Sequence, residues 1–141
     1  MISQRRRLAA ILALVVPLGF ATKFYAGPGS GWVGSHGGGI LYEVFWILMV
    51  LLVWPRLSPV RVAGGVLVAT SALEILQLFH PPFLEAVRAT FLGHALIGST
   101  FAWWDFPHYV VGCVAGALLA HAALRHGRES APGAAAGRER Y

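Results

Sequence analysis

Four apolar stretches, separated by glycine-rich, proline-rich or basic breaks, set the pattern of this chain. Leu8–Phe20 is apolar apart from the interruptions at Pro17 and Gly19. Ile40–Trp54 follows and is closed by Pro55. Val62–Phe79 ends at His80-Pro81-Pro82, and His108–Leu124 is the last run. A bilayer core needs about 20 residues of helix. Extended by their small or aromatic flanks, the runs predict spans at about 8–25, 38–54, 62–79 and 107–124. The expected fold class is an all-α membrane protein: a four-span transmembrane helical bundle forming a single domain over residues 1–125.

The breaks predict the connections. Ala26–Gly39 is glycine-dense and reads as a mobile loop. No strand precedes it and no GK[ST] follows, so it is not a phosphate-binding loop. Arg56–Arg61 is a tight basic turn. Between the third and fourth runs, Leu84, Val87, Phe91, Ala95 and Gly98 recur at helical spacing. Glu85, Arg88 and His94 fall on other faces. This predicts an interfacial or re-entrant helical segment between spans three and four, irregular near Gly93 and Gly98. Such backbone is tolerated at membrane depth only where protein or water surrounds it. Trp103 and Trp104 suit the headgroup level. Asp105 is placed as an N-cap, with Pro107 in the first turn. Residues 126–141, rich in Ala, Gly and Arg, predict a disordered cytoplasmic tail. The basic start and first apolar run resemble a signal peptide, but Lys23, Phe24 and Tyr25 stand where small cleavage-site residues are wanted. An uncleaved first span is expected.

Composition changes the picture in one respect. The 141 residues are 57% hydrophobic and 12% charged, about half the charge of a soluble domain. The net charge of +5 and pI near 10.2 therefore need not mean nucleic acid. With the N-terminus inside, Arg5, Arg6, Arg7, Arg56, Arg61, Arg125, Arg128, Arg138 and Arg140 fall on the cytoplasmic side. Only Lys23 and Arg88 fall outside. This positive-inside bias predicts both termini in the cytoplasm. The lone Cys113 excludes an internal disulfide and a thiolate metal cluster. No HExxH or close His pair on one helix occurs, so no metal and no cofactor is expected.

The polar residues inside apolar runs mark the candidate site, because intramembrane ionisable groups are costly. Glu74 and Gln77, three residues apart, share a helix face near the outer end of span three. Glu43 lies one turn inside span two, and Asp105 opens span four. Arg88, His94 and His36 lie on outer connections. All converge on one leaflet. Arg88 is the expected partner of Glu74. Gln77 either braces the bundle or touches a ligand. Glu43 either reaches water or joins the site, and Asp105 caps a helix or contributes an oxygen. Gly112 and Gly116 form GxxxG, a helix-packing face.

The runs LYEVFWILMVLLVWP, LEILQLFHPPFLEAVRATFLG and LIGSTFAWWDFPHYVVGCVAG resemble, in order and spacing, the bacterial membrane family known as domain of unknown function 2809. The likeness covers about Ile40–Leu119. A looser likeness is to VanZ-like membrane proteins, whose Glu-x-x-Gln, Arg and Asp pattern matches Glu74, Gln77, Arg88 and Asp105, with Gly112 and Gly116 in the last span. The Asn that usually follows the Asp is absent; His108 or Tyr109 stands near its place. The resemblance implies a bacterial envelope context and supplies no reaction. The expectation is an inner-membrane protein binding a lipid headgroup or amphiphilic envelope ligand at Glu43, Glu74, Gln77, Arg88, Asp105 and Tyr109, with Arg88 on an anion. Two alternatives stand beside it: an enzyme using Glu74 or Asp105 as acid or base, and a structural subunit of a membrane-protein complex.

Overall fold

The computed structural model describes residues 2–98 and 100–129. Among them six helices occur and no strand. They are α1 (Ile2–Ala21), α2 (Ser30–Val53), α3 (Pro59–Leu76), α4 (Pro82–Arg88), α5 (Phe91–Ile97) and α6 (Asp105–Glu129). Three of them, α2, α3 and α6, are long and apolar enough to cross a membrane. Four spans were expected, and α1 is the one outside this set. It begins at Ile2 and so takes in Arg5, Arg6 and Arg7, with Pro17 in its later turns.

Helix α2 is the centre of the bundle, packing on α1, α3 and α6. Its residues Val44, Ile47, Leu48 and Leu51 are buried at 3.6-residue spacing. They meet Leu8 and Val15 of α1, Val62, Ala63 and Val66 of α3, and Cys113, Ala120 and Ala123 of α6. The approach of α2 to α6 is set by two glycines. A Cβ on Gly112 would lie 2.7 Å from the Ile40 carbonyl oxygen and from Glu43 Cβ, and one on Gly116 would lie 2.7 Å from Ile47 Cδ1. The outward faces stay apolar: Leu14, Leu18, Val68, Val111 and Leu118 are exposed. A helix face of that kind has no reason to be stable in water.

The glycine-rich stretch is not the loop that its composition predicts. From Ser30 onward it is helical, with a π-helical turn over Val33–Gly37 that leads without a break into Gly38–Val53. The glycines let the backbone approach the end of α1, and Lys23 Nζ donates to the Gly34 carbonyl at 2.9 Å. Tertiary packing here overrides a weak propensity.

Prolines set the other boundaries. Ser58 is extended before Pro59 at the start of α3, and Pro81 is extended before Pro82 at the start of α4. Thr90 caps α5, its hydroxyl accepting from the Gly93 amide at 3.0 Å. Helix α6 runs past the expected Leu124 to Glu129, since Ala, Leu and Arg sustain helix. The expected tail thus loses residues 126–129, and residues 130–141 lie outside the described residues. At this end Gln4 Nε2 donates to Leu124 O and Arg5 Nη2 to Val53 O, each at 3.3 Å. The start of α1 therefore sits beside the ends of α2 and α6.

Candidate functional site

The polar residues gather at the opposite end, but in four separate groups. The first is built on Glu74, near the C-terminus of α3 and almost fully buried. Its two oxygens have different donors. Tyr109 Oη of α6 donates to Oε2 at 2.6 Å, and the Ala102 amide donates to Oε1 at 2.7 Å. Short bonds to a carboxylate are the strong kind. One side chain thereby ties α3 to α6 and to the segment that enters α6. Gln77, one turn on, donates from Nε2 to the Ile97 carbonyl at 2.8 Å. That bond fixes the amide orientation, because a carbonyl can only accept. The remaining Gln77 Oε1 is buried and has no hydrogen-bond partner among the described residues. Gly98, at φ 71°, lets the chain turn closely over this amide. That conformation belongs to glycine.

Glu74, Gln77 and Tyr109 line a cleft of about 600 Å³ between α1, α2, α3 and α5. Its walls are otherwise mainly apolar, with Phe20, Leu41, Phe45, Leu73 and Phe91 prominent. Tyr42, Thr70, His94 and Lys23 add polar atoms. The Tyr42 hydroxyl is already spent on the Leu96 carbonyl at 2.9 Å, which holds α5 against α2.

The second group is Arg88. It does not pair with Glu74. Its guanidinium is buried beneath the end of α3. There Nη2 donates to Leu76 O at 3.0 Å, and Nη1 donates to Phe79 O and Glu85 Oε1, both at 2.8 Å. Carbonyls at a helix C-terminus lack intrahelical partners and attract a cation. Arg88 answers that demand, and a carboxylate one turn away on α4 is its ionic partner. His80 contacts the same Glu85 oxygen at 3.0 Å. The Glu85 carboxyl is held below its ordinary range, first by the bond to His80 and then by that to Arg88.

The third group is Glu43, fully buried in α2, whose Oε2 accepts from Cys113 Sγ at 3.1 Å. Its neighbour across the seam is Gly112. The fourth joins the π-turn to the start of α6. His36 and His108 stack at 4.3 Å with their planes within 6°, and Trp32 tilts against both. His36 Nδ1 lies 3.4 Å from Asp105 Oδ1, a charge contact outside hydrogen-bond geometry. Asp105 is the first residue of α6, so its carboxylate faces a histidine where an N-cap was expected.

The sequence profile of the family described as "Protein of unknown function (DUF2809)" matches residues 29–113, more than half of the chain. The chain belongs to the DUF2809 family. The match takes in α2 to the first turns of α6, and so all four polar groups; α1 lies outside it. No curated protein and no solved structure matches the chain. The VanZ-like likeness of Glu74, Gln77, Arg88 and Asp105 receives no support from these matches.

Of the residues singled out from the sequence, this DUF2809 protein brings Glu74, Gln77 and Tyr109 to one cleft. It sets Glu43, Arg88 and Asp105 outside that lining. Glu85 was missed as a partner, although Glu-x-x-Arg at i, i+3 is a readable ion-pair spacing. Tyr42 and Thr70 gave no signal, since a tyrosine or threonine in an apolar helix is ordinary. Lys23 could have been found as the one cation beside the polar end of the first run.

Proposed function

We propose that this DUF2809 protein is a four-span protein of the bacterial inner membrane, with α1 as the fourth span, both termini cytoplasmic and an accessory, lipid-binding role. Its cleft would hold an amphiphile whose headgroup donates hydrogen bonds. The observation that carries this is Gln77 Oε1, a buried acceptor with no partner among the described residues, on a side chain that lines a mainly apolar cleft beside Glu74. A buried acceptor without a donor costs about 1–3 kcal/mol, and a ligand N–H or O–H would recover it. An anionic head on Arg88 has less support, because both terminal nitrogens of that guanidinium already serve protein oxygens. The position of Arg5 beside Val53, with Arg56 and Arg61 following, supports grouping the basic ends on one side.

The acid–base alternative has less support at Glu74, since both of its oxygens are held by protein donors; at Asp105 it keeps the partly exposed contact with His36. The test is native mass spectrometry of the purified protein with phosphatidylethanolamine and phosphatidylcholine. The first carries an ammonium donor and the second carries none. The expected result is preferential retention of phosphatidylethanolamine, lost in Gln77→Met. Equal retention of both lipids by the wild type would sink the reading.

A further inference from the structure

A second recess adjoins the Glu74 cleft, sharing Tyr42, Thr70, Leu73, Leu96 and Ile97 with it, and continues from there towards Arg61. It is a groove of about 690 Å³ between α2 and α3. On α3 it follows Arg61, Gly65, Ala69 and Leu73, and on α2 it follows Tyr42, Trp46 and Val50. Both series step by four residues, so each is one face of its helix. From Arg61 to Leu73 the groove runs about 18 Å at 1.5 Å per residue. One leaflet of a bilayer is about 15 Å of hydrocarbon. The groove is thus apolar over the depth of one leaflet and carries a cation at one end only.

That cation is unanswered. Arg61 is exposed and forms no ion pair among the described residues; nor does Arg56 in the same turn. The turn from Pro55 to Arg61 contains no carboxylate. Trp54, exposed beside it, is the side chain that favours the headgroup level. We propose that this groove holds one acyl chain of an anionic phospholipid, with the lipid phosphate on Arg61. The length of the apolar trough selects a chain. The lone, uncompensated arginine at its mouth selects an anionic head. The two recesses differ in what they offer a headgroup: the cleft has the Gln77 acceptor, with Lys23 in its lining, and this groove has Arg61 alone.

The groove can be closed without touching the core. A Cβ at Gly65 meets nothing within 4 Å, so Gly65→Phe fills the trough from a position with room. The inference rests on the membrane reading above, so a carbonate wash comes first. Protein released from the membrane by alkaline carbonate would overturn that reading and this one together. Protein that stays is purified in detergent and given phosphatidylglycerol and phosphatidylcholine in equal amounts, with bound lipid read by native mass spectrometry. The expected result is one tightly held phosphatidylglycerol. Arg61→Gln lowers its retention about fivefold, the effect of one basic residue at a lipid surface. Gly65→Phe lowers it at least as far while Arg61 is still present. Circular dichroism melting shows that each variant is folded. Unchanged retention in Gly65→Phe overturns the proposal, because the lipid then needs only a surface arginine. A lipid-free dimer that Gly65→Phe dissociates overturns it too, and gives the groove to a second copy. Phosphatidylethanolamine retention at Gln77 should be unaltered by Gly65→Phe, which keeps the two lipid readings separable.

Discussion

Glu43 and Glu74 are both carboxylates buried in apolar helices, yet their surroundings have little in common. Glu43 sits in the seam between α2 and α6, against a glycine, with the Cys113 thiol donating to it at 3.1 Å. Glu74 sits at the lip of a cleft, with a phenol and a backbone amide donating to it at 2.6 and 2.7 Å. A thiol is a weak donor; a phenol and an amide are strong ones. One carboxylate has been closed into packing, and the other has been pre-organised beside open space. Burial alone therefore does not mark a site. What sets Glu74 apart, and what the proposed ligand site rests on, is burial combined with strong donors and an adjoining volume.

The seam is the more fragile of the two regions. Gly112→Leu would force a side chain into the space of Ile40 O and Glu43 Cβ, where a Cβ alone already comes within 2.7 Å. The loss expected is about 3 kcal/mol or more, the upper end for overpacking, read from unfolding in detergent. Gly64→Ala, with nothing within 4 Å of the new atom, is the control and should cost nothing measurable. A Gly112→Leu protein as stable as the wild type would show that α2 and α6 are not in this contact.

Next in size is Arg88. Arg88→Met leaves the Leu76 and Phe79 carbonyls without their Arg88 donor and Glu85 with His80 alone. A cost of about 2 kcal/mol is expected, in the range for hydrogen bonds to charged groups, with phosphatidylethanolamine retention unchanged in the protein that remains folded. Loss of lipid without loss of stability would return Arg88 to the ligand and remove the distinction between a brace and a site.

The two carboxylates themselves give the sharpest contrast at smaller cost. Tyr109→Phe removes one strong bond to Glu74 and should cost about 1 kcal/mol and weaken lipid retention. Glu43→Gln keeps shape and removes a charge that no cation answers. It should cost about 1 kcal/mol, the ordinary size of a single substitution, and leave the lipid alone. Should Glu43→Gln prove the more damaging to lipid retention, the assignment of the cleft to Glu74 fails.

The sequence carries much of this arrangement and misses it in particular places. The apolar runs predict α3 to within three residues at each end and the apolar parts of α2 and α6, while α2 starts eight residues earlier and α6 ends five residues later than expected. Pro59, Pro82 and the Glu74–Gln77 spacing are equally readable. Ala26–Gly39 misleads because glycine is the poorest residue for an isolated helix, yet the one that lets α2 approach Lys23 and Thr22. Arg88 misleads because ion pairs are sought between charges, whereas the strongest demand at this end comes from the uncharged carbonyls of Leu76 and Phe79. Cys113 shows the same limit. Its contact with Glu43 spans 70 residues of chain, and no local pattern announces it.

The smallest effect expected belongs to Glu85, the exposed member of the Arg88 group. Its carboxyl is held below the ordinary value of 4.5 by His80 and then by Arg88. A carboxylate with a lowered value in the fold stabilises the fold above the ordinary value, and that contribution is lost as pH falls through the lowered one. The difference in unfolding temperature between wild type and Glu85→Gln should therefore be constant from neutral pH down to about 5, and should shrink below 4.5. The two proteins should converge in stronger acid. Salt should shrink the difference at neutral pH as well, since an exposed pair is screened. A difference that survives acid unchanged would mean that Glu85 acts through packing. The tie between α3 and α4 would then rest on the Arg88 carbonyl bonds alone.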